Sequence, residues 1–288
     1  MSRKSLAVFG ADGKLGTDLV ELLSYEQDVE VKTFIENECD ITNKKELEFA
    51  LNESTYTHVI NCAAYTDVDG CEENEQKAFQ VNAEGPKYLA EICLKNKIHL
   101  THISTDYVFE GLKDEPYLEH EETFPLSVYG KSKLAGEGHV KAIGGKGLII
   151  RTAWLYGKNG KNSLDTFLNK LELGSTIKII DDQFGCPSYS MDIANAIIQL
   201  SLSEKSGVFH VVNSGSCSWY QFIKKAAEYL NYDQSKIVPI SYKDLNRKAE
   251  RPKSTILSMI KLERTLPEPL RSWEKGLYQY LLEINKAV

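Results

Sequence analysis

The sequence lacks any apolar run near the ~18 residues that a membrane-spanning helix needs. The apolar stretch at its start, within residues 1–10, is too short for a secretory signal peptide. Basic residues are the minority, 34 against 41 acidic ones, which gives a formal net charge of −7. Such a chain lacks the positive field that attracts nucleic acid or an anionic membrane surface. These absences predict a cytoplasmic protein whose partner is a small molecule, with no nucleic acid and no membrane.

The six cysteines and six histidines show no metal-binding pattern. There is no Cys-x-x-Cys pair, and the histidines are scattered along the chain. Asp67, Asp69 and Gly70 superficially resemble a calcium loop, but the glycine comes too early for an EF-hand. We therefore expect reduced, mostly buried thiols and no metal site.

The first half of the chain alternates short apolar, β-branched runs with helical patterns. Predicted strands cover residues 6–9, 29–35, 58–63, 98–104 and 147–154. Predicted helices cover residues 15–23 and 78–95, with another that begins at Thr42 or Asn43 and runs through Leu51. Strands that alternate with helices pair in parallel and carry helices on both faces. The pattern predicts an α/β fold with a doubly wound, Rossmann-type parallel sheet.

The second half has a looser pattern. Predicted helices cover residues 164–173, 192–202, 219–230 and 273–284, and predicted strands cover residues 176–180 and 208–213. We expect residues 1–157 to bind a dinucleotide and residues 158–288 to form a smaller α/β part that mainly binds the substrate, interleaved with the first. Ligands of open parallel sheets bind at the carboxyl ends of the strands. Candidate functional residues should therefore follow the predicted strands.

A glycine-rich turn follows the first predicted strand and opens the first predicted helix. Gly10, Gly13 and Gly16 spell Gly-x-x-Gly-x-x-Gly, with Lys14 and Leu15 inside the pattern. Glycines allow a tight turn and a close approach to pyrophosphate, and the helix N-terminus favours negative charge. This strand–turn–helix context predicts dinucleotide binding, with an ordinary glycine-rich loop as the alternative.

Asp40 and Ile41 lie beyond the second predicted strand, where side chains approach the adenine end of a dinucleotide. The alternative for Asp40 is that it caps the next helix. No arginine ends the second strand to bind a 2′-phosphate, although Lys14 can approach from the glycine turn. NADPH and NADH both stay open as cofactors, and NADPH is favoured.

A candidate catalytic set combines Thr105, Tyr129 and Lys133. Tyr129 and Lys133 are four residues apart and so share one helix face, and Thr105 ends a predicted strand 24 residues before Tyr129. The other Tyr-x-x-x-Lys matches, at Tyr220 and Tyr232, do not follow such a strand. A nearby ammonium favours the phenolate of a tyrosine, whose free pKa is about 10, and so moves it towards acid–base catalysis. Thr105 would orient a carbonyl oxygen; the alternative is an exposed Tyr–Lys pair beside an ordinary strand end.

Segments spread over residues 10–273 resemble the dTDP-4-dehydrorhamnose reductase family of extended short-chain dehydrogenases/reductases. They are NCAAYTDVD (61–69), HISTDYVFEG (102–111), VYGKSKLAGE (128–137), RTAWLYG (151–157), DQFGCP (182–187), CSWY (217–220) and RPKSTIL (251–257). Lys14 departs from the family pattern, which usually has glutamine there. The resemblance implies that NADPH or NADH reduces the C4 ketone of dTDP-4-dehydro-L-rhamnose to dTDP-L-rhamnose, in nucleotide-sugar biosynthesis.

The resemblance also implies roles for individual residues. Tyr129 would be the proton donor, Lys133 its partner and holder of the cofactor ribose, and Thr105 the hydroxyl on the substrate carbonyl. The further cofactor contacts would be Ala63, Ala64 and Tyr65, and the further substrate contacts Val68, Asp106, Tyr107, Trp154 and Arg251. Arg251 would reach the nucleotide end, because a guanidinium suits phosphate oxygens. The alternatives are a surface ion pair for Arg251 and a core aromatic role for Trp154.

Other activities stay open on the sequence alone. A sugar-nucleotide dehydratase is disfavoured, because Tyr107 stands where those enzymes carry a glutamate base. The alternatives are a reductase or epimerase of another sugar nucleotide and a non-catalytic, NADP-binding regulatory subunit. A homodimer and a bound Mg²⁺ also stay open, since the glutamates that bind Mg²⁺ in some family members cannot be matched here.

Overall fold

A computed structural model describes residues 3–52, 55–160 and 162–284. Its strands are β1 Lys4–Phe9, β2 Val29–Phe34, β3 His58–Asn61, β4 His99–Thr105, β5 Gly147–Thr152, β6 Leu155–Tyr156, β7 Ile177–Ile180, β8 Phe184–Gly185, β9 Ser188–Tyr189, β10 Gly207–His210, β11 Cys217–Ser218 and β12 Ile237–Ile240. Its helices are α1 Lys14–Leu23, α2 Lys44–Asn52, α3 Val68–Glu73, α4 Glu75–Phe79, α5 Gly85–Asn96, α6 Val128–Lys141, α7 Ser163–Glu172, α8 Ser190–Leu202, α9 Trp219–Tyr229, α10 Ile260–Glu263 and α11 Trp273–Glu283.

The main sheet has the strand order β10-β5-β4-β3-β1-β2, and every neighbouring pair in it is parallel. The chain reverses its direction of strand addition between β1 and β3. A crevice opens at such a reversal, outside the carboxyl ends of the strands. The glycine turn follows β1 and residues 63–65 follow β3, so both lie at this crevice. The predicted Rossmann-type fold is confirmed.

Helices cover both faces of the main sheet because each face is apolar. On one face, α1 and α8 bury residues such as Leu19 and Ile197 against β1 and β5. On the other, α2, α5 and α6 bury Leu47, Leu89 and Val140. The sheet is therefore a rigid platform whose carboxyl edge holds the candidate site.

The smaller C-terminal part has its own apolar core, formed by α7, α9 and α11 with residues of β7 and β12. The two halves share elements: α8 packs on α1, and β10 pairs with β5 at the edge of the main sheet. The division at residue 157 stays a prediction.

The segment predicted as a helix over residues 78–95 is helical throughout, but it is not a single α-helix. The chain forms α4, then a π-helical turn at Gln80–Glu84, then α5, which has Pro86 in its first turn. The strands predicted to reach residues 63 and 154 end earlier, at Asn61 and Thr152. The chain leaves the sheet at these points and forms the loops that line the site.

Within the described ranges, no helix is both long enough and apolar enough to cross a bilayer.

Candidate active site

The glycine turn has the shape that a dinucleotide requires. Gly10 has φ +70°, a conformation that favours glycine, and a Cβ there would lie 2.6 Å from the backbone nitrogen of Ala63. Gly16 likewise leaves room for the Gly10 carbonyl. Gly13 is the N-cap of α1 and contributes no side-chain hydrogen bond to the first turn. The turn thus fits a pyrophosphate at the start of the helix.

Two adjoining cavities meet at this turn and share Gly10, Gly13 and Ala64. The larger has a volume of about 540 Å³, and the smaller of about 220 Å³. Predicted residues that line the larger cavity are Gly10, Gly13, Lys14, Leu15, Gly16, Ala64, Thr105, Asp106, Tyr129, Lys133 and Trp154. Those that line the smaller are Gly10, Gly13, Asp40, Ile41, Ala63, Ala64 and Tyr65. The arrangement fits one extended dinucleotide, with its adenosine in the smaller cavity.

Helix α6 places the candidate proton donor and its lysine. The Ser127 hydroxyl caps α6 by accepting from the Gly130 amide (3.2 Å). One turn further on, the Lys133 Nζ donates to the Ile103 carbonyl oxygen of β4 (2.5 Å). Burial lowers the pKa of Lys133 to about 8. The lysine is thereby fixed at the carboxyl end of β4, at the wall of the larger cavity.

The expected lowering of the pKa of Tyr129 is wrong for this structure. Burial raises its pKa above the ordinary value, and a hydrogen bond with Thr105 opposes that rise. The Lys133 ammonium bonds the Ile103 carbonyl oxygen instead of the phenol. Tyr129 is therefore a neutral phenol at neutral pH, the form that can donate a proton.

Thr105 lies beside Tyr129 and holds a defined position. Its hydroxyl donates to Asp106 Oδ1 (3.1 Å) and accepts from the Tyr107 amide (3.2 Å). Asp106 is buried, accepts a second hydrogen bond from Thr255, and has its pKa raised to about 6 by burial. The Tyr107 ring meets the Tyr129 ring edge-on, with centroids 5.9 Å apart. Asp106 thus contacts Thr105, and Tyr107 contacts Tyr129. Of these two predicted substrate residues, only Asp106 lines the cavity.

Trp154 is partly exposed and lines the larger cavity. Its φ of +42° is rare for a bulky residue. The ring stacks on Trp219 (centroids 4.3 Å apart), and a Cβ at Gly185 would collide with it. The stack fixes the indole at the wall of the cavity despite the strained backbone.

Arg251 forms an ion pair, which the sequence analysis gave as the alternative to a contact with the nucleotide. Its guanidinium donates to both carboxylate oxygens of Asp69 (3.0 and 2.8 Å). The sequence analysis missed Arg247, whose charge, like that of Arg251, influences the Tyr107 hydroxyl. Burial and then repulsion from Arg251 lower the pKa of Arg247. Val68, predicted to contact the substrate, precedes Asp69 at the start of α3 and lines neither cavity.

The sequence analysis also did not identify Asn82 as a site residue. It lies in the π-helical turn and is fully buried. Its side chain accepts from the Tyr65 amide (2.9 Å), donates to the Tyr65 carbonyl oxygen (3.0 Å) and donates to the Ser132 hydroxyl (3.1 Å). Asn82 thus ties the cofactor loop after β3 to α6, which carries Tyr129.

Asp40 and Lys14 line different cavities, Asp40 the smaller one and Lys14 the larger one. Both carboxylate oxygens of Asp40 accept from Thr42, at 2.8 Å each, in the turn before α2. The Lys14 Nζ donates to the Leu155 carbonyl oxygen (3.2 Å) in the larger cavity, away from the adenosine side. The ammonium is drawn toward Leu155 and the nearby Asp165 and Asp18, and the contact of Lys14 with a 2′-phosphate stays a prediction.

Within the described residues, no group of three or more His, Cys, Asp or Glu side chains is placed to hold a metal ion.

The chain is similar to known proteins over nearly its whole length. A family model described as the RmlD substrate binding domain matches residues 4–286. A dTDP-4-keto-6-deoxy-D-glucose reductase of Streptomyces niveus is 34% identical over 279 residues, covering 96% of each chain. A dTDP-4-dehydrorhamnose reductase of Aggregatibacter actinomycetemcomitans is 34% identical over 284 residues, covering 94% of this chain and 96% of that protein. A crystal structure of a dTDP-4-dehydrorhamnose reductase from Bacillus anthracis, in complex with NADP, superposes with a TM-score of 0.94 at 35% identity and covers 98% of this chain and 100% of that chain.

Proposed function

We propose, since the chain belongs to the dTDP-4-dehydrorhamnose reductase family, that it reduces the C4 ketone of dTDP-4-dehydro-L-rhamnose to dTDP-L-rhamnose. It is an NAD(P)-dependent oxidoreductase that acts on a dTDP-4-keto sugar. The observation that carries the proposal is that Thr105, Tyr129 and Lys133 line one cavity with the glycine turn. The runner-up is reduction of a different dTDP-4-keto sugar, as the name of the Streptomyces niveus relative suggests.

The protein's own groups account for the proton half of the reaction. A bound nicotinamide supplies the hydride to C4, while Tyr129 gives its phenolic proton to the ketone oxygen. Thr105, fixed by Asp106, positions that oxygen beside Tyr129. Lys133 holds the cofactor ribose, and Trp154 and Leu155 line the same cavity. Holding both reactants in one geometry supplies much of the rate acceleration.

The preferred hydride donor in this proposal is NADPH, with NADH as the alternative. The support is the NADP complex of the Bacillus anthracis relative. Lys77, which lines the smaller cavity 4.9 Å from the Tyr65 ring centroid, is a cation on the adenosine side. It is, besides Lys14, a candidate partner of a 2′-phosphate, although Glu36 and Asp40 line the same cavity.

Oxidation of NADPH, followed by its absorbance with dTDP-4-dehydro-L-rhamnose as substrate, tests the proposal. Tyr129→Phe removes the proton donor but keeps the ring, so we expect a folded, NADP-binding protein whose kcat falls at least about 100-fold. Tyr220→Phe, in another Tyr-x-x-x-Lys match, is the matched control and should keep normal turnover. Normal turnover by Tyr129→Phe would remove Tyr129 from the mechanism, and turnover only with another 4-keto sugar nucleotide would favour the runner-up.

A further inference from the structure

Thr152, the last residue of β5, has a buried hydroxyl with no hydrogen-bond partner among the described residues. The residue is 5% exposed, and it lines the larger cavity. Buried hydroxyls are normally hydrogen-bonded, because desolvation without a partner costs free energy. An unpaired hydroxyl at a cavity wall therefore indicates a ligand group that completes it.

The position of Thr152 is set by the pairing of β4 with β5. Thr152 is opposite Thr105 in the register, so the two side chains lie on the same face of the sheet. The Thr105 hydroxyl is already engaged by Asp106 and the Tyr107 amide. Two threonine hydroxyls thus stand side by side at the cavity, and of the two only that of Thr152 lacks a hydrogen-bond partner among the described residues.

The order of the strands indicates which part of a ligand reaches Thr152. Lys133, which would hold the cofactor ribose, is anchored at the Ile103 carbonyl oxygen on β4. Neighbouring strands are about 4.8 Å apart, so Thr152 on β5 lies one strand further along the sheet edge. A nicotinamide ring attached to that ribose spans a similar length. Its reactive ring would then lie between Lys133 and Thr152.

The surroundings of Thr152 suit an aromatic ring with one polar substituent. The residues that line the same cavity include Cys62, Ile103 and Ala153. These are apolar, and burial raises the pKa of Cys62 to about 12, so its thiol stays neutral. A carboxamide both donates and accepts hydrogen bonds, as does a threonine hydroxyl.

We propose that the Thr152 hydroxyl hydrogen-bonds the carboxamide of the cofactor's nicotinamide ring and fixes the rotation of that ring in the site. The inference rests on the proposed function only in requiring a nicotinamide dinucleotide. It makes Thr152 a positioning residue, since hydride transfer requires one face of the ring to point at the substrate.

Binding measurements without any sugar nucleotide test this role. Thr152→Val replaces the hydroxyl by a methyl group of similar size, and Thr152→Ser keeps the hydroxyl. We expect Thr152→Val to raise the Kd of NADP⁺, measured by isothermal titration calorimetry, about three- to tenfold, as one lost hydrogen bond implies. Thr152→Ser should stay within about twofold of the wild type.

Two probes and one further variant separate the hydrogen bond from a general change of the cavity. 2′-Phospho-ADP-ribose lacks the nicotinamide, so its Kd should be the same in wild type and Thr152→Val. The 3-acetylpyridine analogue of NADP⁺ lacks the amide NH₂ group. Thr152→Val should therefore raise the Kd of this analogue by a smaller factor than it raises the Kd of NADP⁺. Thr101 lies on β4 outside the cavity, and its hydroxyl is hydrogen-bonded to that of Ser201 (2.8 Å). Thr101→Val removes this hydroxyl and should leave the Kd of NADP⁺ unchanged.

An unchanged Kd of NADP⁺ in Thr152→Val overturns the inference, and so does an equal loss for 2′-phospho-ADP-ribose. A loss confined to sugar-nucleotide binding would also overturn it and assign the hydroxyl to the substrate. These results are independent of turnover. If no 4-keto sugar nucleotide is reduced but the NADP⁺ effect is present, the proposed reaction fails while the role of Thr152 stands.

Discussion

Tyr129 and Lys133 lie one helical turn apart on α6, and burial changes the pKa of each. The pKa of Lys133 falls to about 8, whereas that of Tyr129 rises, because burial disfavours the charged form of either group. The motif spacing predicted that the two residues share a helix face. The spacing could not predict the two pKa shifts, because desolvation depends on residues that other elements bring to the site.

The two neighbouring guanidiniums of Arg247 and Arg251 are the residue-scale feature that the motifs did not reveal. Two like charges are held together near Tyr107, and Asp69 pairs with Arg251. A diphosphate would relieve their repulsion. We predict that Arg247→Ala raises the KM for the dTDP sugar about tenfold, in line with the loss of one charge-assisted hydrogen bond at an exposed site.

Arg264→Ala is the matched control for this prediction, since Arg264 is also exposed but caps α10. It should leave the KM of both reactants unchanged, and Arg247→Ala should leave the Kd of NADP⁺ unchanged. The assignment of Arg247 to the nucleotide end would fail if initial-rate kinetics gave equal KM values for Arg247→Ala and wild type.

At the scale of the elements, local patterns predicted most of the strands and helices around the main sheet. The runs that became β1 to β5 are rich in apolar and β-branched residues, and the glycine turn marked the start of α1. The π-helical turn at Gln80–Glu84 was not predictable, because its cause is tertiary. Asn82 is turned inward to satisfy Tyr65 and Ser132, and the apolar periodicity continues on either side of it.

That turn yields a prediction for Asn82→Ala. The variant leaves the backbone of Tyr65 and the Ser132 hydroxyl without three hydrogen bonds inside the protein. We expect a loss of about 1–3 kcal/mol in the free energy of unfolding, measured with urea. We also expect weaker NADP⁺ binding, because the loop of residues 63–65 would no longer be fixed.

Asn96→Ala is the control within the same helical region. Asn96 is exposed at the end of α5 and donates to Asn52 (3.3 Å), so its removal should change neither quantity appreciably. Wild-type affinity for NADP⁺ in Asn82→Ala would show that the loop keeps its shape without this amide. The tie between the π-helical turn and the cofactor site would then be rejected.

At the scale of the whole molecule, the fold encloses histidines in their neutral form. His58 and His99 lie on adjacent strands of the main sheet, with ring centroids 5.5 Å apart, and both are about 1% exposed. Burial lowers the pKa of His58 to about 4 and that of His210 to about 3. The sequence showed only scattered histidines. Their burial follows from the order of the strands, which no local pattern determines.

The burial of His58 predicts how stability depends on pH. Besides His99, the charged groups that influence it are Lys4, Lys146 and Glu204. The folded pKa of about 4 lies below the ordinary histidine pKa of 6.5. The stability that the neutral form contributes is therefore fully present above pH 6.5 and is lost as the pH falls towards 4. Between pH 7 and pH 5, this histidine alone should lower the free energy of unfolding by about 2 kcal/mol.

Urea unfolding of wild type and His58→Gln at pH 7 and pH 5 checks this. Glutamine keeps a polar group for the Thr57 hydroxyl, which contacts His58 Nδ1 (2.8 Å), but it does not titrate. The difference in unfolding free energy between the two pH values should shrink by about 2 kcal/mol in the variant. His120→Gln, at an exposed position, should keep the wild-type difference. The same change in unfolding free energy in His58→Gln and wild type would mean that His58 can take up its proton within the folded sheet. The acid sensitivity would then have to arise at another buried group.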